Sequence, residues 1–333
     1  CAHHSSFQSV AATAMKNTAV QNTVQMPQVY PCGFPVGIYM ETEGVMVVTT
    51  AQIPTNMETL SSPCEGSLQQ GDYITSINGN PVNSKEELVS SVEACAGQPL
   101  TLHIVREQES FDISVLPIQD TSGTYRLGVW VKDDVQGIGT LTYATRQGAF
   151  GALGHGITDT DTGKLLTVSG GMLYDTSILK IVRGQRGTPG ELSGMITYSD
   201  SHAEGVIREN TSRGIFGQAE GRLLRMLGTE TVEVAFKQEV RTGRAVLRSS
   251  VSGELKDYEI QIQELRMNES DVNKGMIFYV TDPDLLALTG GVIQGMSGSP
   301  ILQNGRLIGA VTHVFVNDPA KGYGIFAENM IEH

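Results

Sequence analysis

Residues Gly291 to Leu302 read GVIQGMSGSPIL, a bend carrying three glycines, two serines and a proline between two apolar runs. A connection that rich in glycine lets backbone N–H groups converge on one point, so a serine at its apex holds a hydroxyl beside a small anion-binding pocket. Ser297 is the candidate for that hydroxyl. The N–H groups of Gly295 and Ser297 are the candidate oxyanion donors, and Ser299 is expected to be a small packing residue.

A serine that attacks an acyl group needs a neutral imidazole to take its proton and a carboxylate to orient that imidazole. Seven histidines are available. His3, His4 and His333 sit at the termini, His103 sits in an apolar strand pattern, and His202 lies in the polar run SDSHAE. His313 follows GAVT inside a strand pattern, where a packed ring satisfied by a neighbour is expected. His155 stands in FGALGHGITD, at the end of an apolar strand and flanked by glycines, so its ring is uncrowded and open to a second element. It is the candidate base. For the orienting carboxylate, Asp159 and Asp161 follow His155 closely, Asp282 lies in YVTDPD, and Asp318 lies in a turn before Pro319.

The rest of the composition narrows the class. The 333 residues include 38 glycines and are only 6% aromatic, which favours many short strands and tight turns. A net charge of -13 excludes a nucleic-acid surface, which needs clustered Lys and Arg. No run of about 18 apolar residues is present to span a membrane. The four cysteines show no CxxC spacing and no His/Cys/Asp cluster has metal-ligand spacing, so neither metal nor cofactor is expected. Gly184 to Glu191, GQRGTPGE, lacks the ending of a phosphate-binding loop, so nucleotide binding is not expected. Because the chain begins at Cys1, an upstream signal or anchor segment is expected to have been removed.

Three regions are expected: a flexible Ser/Thr/Gln-rich leader over residues 1–28, a first domain over 29–120, and a second over 121–333. Within the first, short strands surround Ser84 to Ala96, which has a serine N-cap, acids in its first turn and Leu88 and Val92 at helical spacing. Helical signals are sparse afterwards, the best being Gly217 to Leu227, and the strand spacing is that of a pair of β-barrels.

The run GDYITSINGNPV at 71–82, followed by that helix and by LTLHIVREQES, resembles the bacterial type of PDZ domain. Such domains add an extended peptide to a sheet edge. The resemblance implies a groove formed by Val36, Gly37 and Ile38 facing Leu88 and Val92. GMSGSP and GALGHGITD, with the PDZ-like unit upstream and IGAVTHVFVNDPAKGYG downstream, closely resemble the peptidase family of the stage IV sporulation protein B. The fold implied is mainly β, a PDZ-like domain followed by a trypsin-like double β-barrel serine peptidase domain. The resemblance further implies Ser297 as nucleophile, His155 as base and Asp282 as the acidic member, and Gly184 to Glu191 as a surface loop near the site. It implies a signalling protease of sporulation, acting outside the cytoplasm in the forespore intermembrane space. Its partners would be protein or peptide substrates, among them a membrane-protein regulator of an intramembrane protease in σ-factor activation, and the chain itself. The rival expectation is an inactive adaptor that only presents the groove.

Overall fold

The computed structural model describes residues 26–57 and 59–332. All but the last three residues of the expected leader lie outside them. The strand Pro35–Thr50 governs the architecture. In its first half Val36, Ile38 and Met40 point inward while Tyr39 and Glu41 point out, the period of two that buries one face. Gly44, at φ +82, then redirects the chain, and a Cβ there would lie 2.6 Å from the Ile74 carbonyl oxygen. Only glycine fits that turn.

The first half of this strand pairs antiparallel with Val129–Thr145 on one side and Val168–Tyr174 on the other. Ala149–Ala152, Gly214–Ala219 and Ala203–Thr211 complete the ring, so the pairings close a six-stranded barrel. Its interior holds Val36, Ile38, Met40, Leu141, Phe150 and Leu173. A second barrel of six strands lies between Gly243 and Phe326 and is filled by residues such as Leu247, Ile260, Phe278 and Val311. The molecule is therefore mainly β, with a pair of barrels as expected.

The second half of Pro35–Thr50 leaves the barrel and joins a smaller sheet containing Tyr73–Ile77, Leu100–Arg106 and Glu109–Val115. Helix α1, Lys85–Ala94, packs on it through Leu88 and Val92, and the Ser84 hydroxyl caps it by accepting from Glu87 N at 3.2 Å. The boundary expected at residue 120 is corrected here. The small unit is an insertion: its chain enters along Pro35–Thr50 and returns along Val129–Thr145, and both strands continue into the barrel. Residues 35–42 thus belong to the first barrel. Helix α2, Gly221–Met226, is shorter than expected, because Gly217 to Ala219 complete a barrel strand. The helix α3, Pro283–Thr289, precedes the glycine-rich bend. Among the described residues, no helix is long and apolar enough to cross a membrane.

Candidate active site

The bend at Gly295 to Ser299 is built by hydrogen bonds from the opposite barrel. Thr140 N donates to the Ser297 carbonyl at 3.0 Å, and Thr140 Oγ1 donates to the Gly295 carbonyl at 2.7 Å. Gly298 sits at φ +95, and a Cβ there would lie 2.1 Å from the Thr140 carbonyl oxygen. Gly295, at φ +96, is the other left-handed residue of the bend. With the carbonyls so engaged, the N–H groups of Gly295 and Ser297 donate to no acceptor among the described residues. They are the free donors that the glycine pattern predicts. Ser299 is fully buried, which fits a packing residue.

His155 is placed by a sharp reversal after Ala149–Ala152. Leu153 and Gly154 both adopt left-handed backbone, at φ +69 and +71. For leucine this conformation costs on the order of 1–3 kcal/mol, and it persists because the surroundings enforce it. Asn273 Nδ2 donates to the Gly154 carbonyl at 2.8 Å and to the Ser212 carbonyl at 2.9 Å. Asn210 holds the other flank, accepting from Ile157 N at 2.8 Å and donating to the Ile157 carbonyl at 2.9 Å. The His155 Nδ1 lies 2.9 Å from its neighbour's carbonyl, Gly156 O. Since that oxygen only accepts, Nδ1 carries the proton and Nε2 is left as the acceptor. Burial holds the His155 pKa below the ordinary 6.5, so the neutral base form persists at neutral pH.

Ser297 and His155 line one cavity of about 440 Å³ between the barrels, together with Gly295, Thr312, His313 and Pro189. Pro189 belongs to the Gly184–Glu191 segment, so this loop borders the site. The Ser297 hydroxyl donates to the Thr312 carbonyl at 2.8 Å, and the rings of His155 and His313 lie 4.9 Å apart at 34°.

None of the four carboxylates considered from the sequence lines this cavity. The expectation that Asp282 orients His155 is corrected: Asp282 Oδ1 accepts from Asp284 N and Leu285 N, both at 3.0 Å, and Oδ2 accepts from Glu259 N at 3.2 Å. It caps α3. Asp159 is paired with Lys132 and Thr162, Asp318 is bonded to Tyr279, and Asp161 is exposed. The polar residues that hold the site, Thr140, Asn210, Asn273, Thr312 and His313, carry no spacing signature in the sequence.

The expected peptide groove is corrected as well. Gly37 and Ile38 pair with neighbouring strands on both sides and Val36 is in the barrel core, so this stretch has no free edge. Ile38 instead borders the cavity of Ser297. Leu88 and Val92 do line a groove, of about 310 Å³, but its other wall is Leu127 to Val131. There the N–H groups of Leu127 and Gly128 donate to nothing among the described residues, and Trp130 stands 67% exposed.

The profile of the family described as SpoIVB peptidase S55 matches residues 123–331. No curated protein matches the chain significantly. Among solved structures, similarity extends to the PDZ domain of an SdrC-like protein from Listeria monocytogenes, at 21% identity over 27% of this chain and 87% of that one, TM-score 0.22. The Rv3671c protease of M. tuberculosis in its inactive form is 15% identical over 59% of this chain and 81% of that one, TM-score 0.30. The HtrA-type protease AlgW with a decapeptide is 12% identical over 60% and 52%, TM-score 0.33.

Proposed function

This chain belongs to the SpoIVB peptidase S55 family and is a serine peptidase, and we propose that Ser297 is its nucleophile and His155 its general base. One observation carries the assignment: hydroxyl and imidazole share a cavity with two unengaged N–H groups. For attack, the Ser297 hydroxyl turns from the Thr312 carbonyl toward His155 Nε2 and gives up its proton as Oγ bonds to the substrate carbonyl carbon. The negative oxygen so formed is received by the N–H groups of Gly295 and Ser297. The C–N bond then breaks, the imidazolium protonates the leaving amine, and water releases the acyl group by the reverse sequence.

The family supports a finer reading, a signalling protease of sporulation acting outside the cytoplasm on a regulator of an intramembrane protease, and on itself. The groove between α1 and Leu127 to Val131 supports recognition of an extended peptide there, with the free N–H groups of Leu127 and Gly128 available to a carboxylate. A fluorophosphonate probe tests the core of the proposal. The intact protein is expected to be labelled, Ser297→Ala not at all, and His155→Ala about 100-fold more slowly or worse. A folded wild-type protein that takes no label would support the adaptor instead. Mass spectrometry of the purified chain over time, with Ser297→Ala as control, reads out self-cleavage.

A further inference from the structure

We infer that His313 is the positioning residue of this site, its ring packed at a tilt against His155 in a cavity that no carboxylate lines, and that it acts through ring packing. The inference rests on the peptidase assignment of Ser297 and His155.

Along the Arg306–Phe315 strand, register is regular from Gly309 to Val311, which faces Gly324, and the next pair is Val314 with Gly322. Three residues advance on one strand against two on its partner, so Thr312 and His313 form a β-bulge. A bulge breaks the ladder and re-aims the side chains it contains. Both residues of the bulge act on the site. The Thr312 carbonyl accepts the Ser297 hydroxyl at 2.8 Å, while Thr312 Oγ1 donates to the Asn273 carbonyl at 2.6 Å. Asn273 in turn holds Gly154, directly before His155. The next side chain, His313, packs at a tilt against His155, ring centres 4.9 Å apart. A single dipeptide thus touches nucleophile and base together and fixes the spacing between them.

The contact is a tilted ring packing and not a hydrogen bond. Nδ1 of His155 is already held by Gly156 O, and no hydrogen bond joins the two rings among the described residues. Packing of the two rings constrains the orientation of the base while leaving Nε2 for the serine. Desolvation first, then the neighbouring His155 ring, pulls the His313 pKa down to about 4, Asp271 opposing the shift and Lys274 adding to it. It is therefore neutral at pH 7. His313 is itself exposed on its outer side, so its substitution need not open a barrel core.

Saturation kinetics of fluorophosphonate labelling on the full chain separate reaction rate from probe binding. His313→Ala is expected to lower the maximal labelling rate about 100-fold with the half-saturating probe concentration within about threefold, since misorienting a base costs rate rather than affinity. His313→Phe keeps a flat ring without its nitrogens and is expected to stay within about fivefold of wild type. Wild-type kinetics in His313→Ala would overturn the inference. So would a His313→Phe protein as slow as His313→Ala while equally folded by circular dichroism, since the nitrogens would then be required. Loss of labelling in Asp282→Asn with none in His313→Ala would return the orienting role to the carboxylate. A wild-type protein that takes no label strikes the peptidase assignment itself, whereas a labelled wild type with an indifferent His313 strikes only this inference.

Discussion

His155 carries the most specific consequence at the scale of one residue. Desolvation of the imidazole disfavours its charged form, and the Gly156 hydrogen bond offsets only part of this, so the folded pKa lies below the ordinary 6.5. The base form is present above the folded pKa and is lost as pH falls through it. Labelling of Ser297 should therefore decline as pH falls, with the half-maximal point on the acid side of 6.5. A rate profile from pH 4.5 to 8 checks this. A half-maximal point at pH 7 or above would require a carboxylate beside the ring that stabilises its charge, as in a triad with a buried aspartate. At the same scale, the meeting of Ser297, Gly295 and His155 in one cavity was readable from sequence, because glycines crowd the two segments that carry them. His313 was not, since a histidine inside an apolar strand pattern looks the same whether its ring packs in a core or lies on a catalytic base.

Helix α3 shows at the scale of an element why the acidic member was misplaced. TDPDLLALTGG contains an aspartate before a proline and glycines at the end, and the structure uses each as a helix signal. Asp282 is the N-cap, Pro283 opens the helix, and Gly290 closes it in left-handed conformation at φ +75. Spacing from Ser297 cannot distinguish a carboxylate that caps from one that orients a ring, because both stand at the mouth of the same bend. The cap gives a direct prediction. Asp282→Ala removes the acceptor for two helix N–H groups and should cost about 1 kcal/mol, whereas Asp282→Asn retains an acceptor oxygen and should cost only a few tenths. Urea denaturation of the two variants measures the difference. Equal losses of several kcal/mol in both would mean that the charge itself, and not the cap, holds the region.

The whole molecule departs most from its sequence in how its parts are joined. Strand patterns identified the barrels and the small unit correctly because period-two burial is local. They could not show that Pro35–Thr50 and Val129–Thr145 each serve both units, since pairing between residues about 100 apart leaves no local mark. The residues at stake are substantial: Val36, Ile38 and Met40 fill the first barrel, and burying each contributes roughly 1.5–3 kcal/mol. A fragment of residues 121–333 lacks the strand that carries them, and its loss exposes the strand edges of Val129–Thr145 and Val168–Tyr174. That fragment is expected not to fold cooperatively. Joining Glu43 to Lys132 by a short glycine-asparagine turn would instead remove the small unit while keeping the antiparallel pair in which Glu41 faces Asp134. The shortened protein is expected to unfold in one cooperative thermal transition and to take the fluorophosphonate label. Cooperative melting of 121–333 together with collapse of the excised form would place the boundary back at residue 120, and the shared strands would then be a contact between two independent domains.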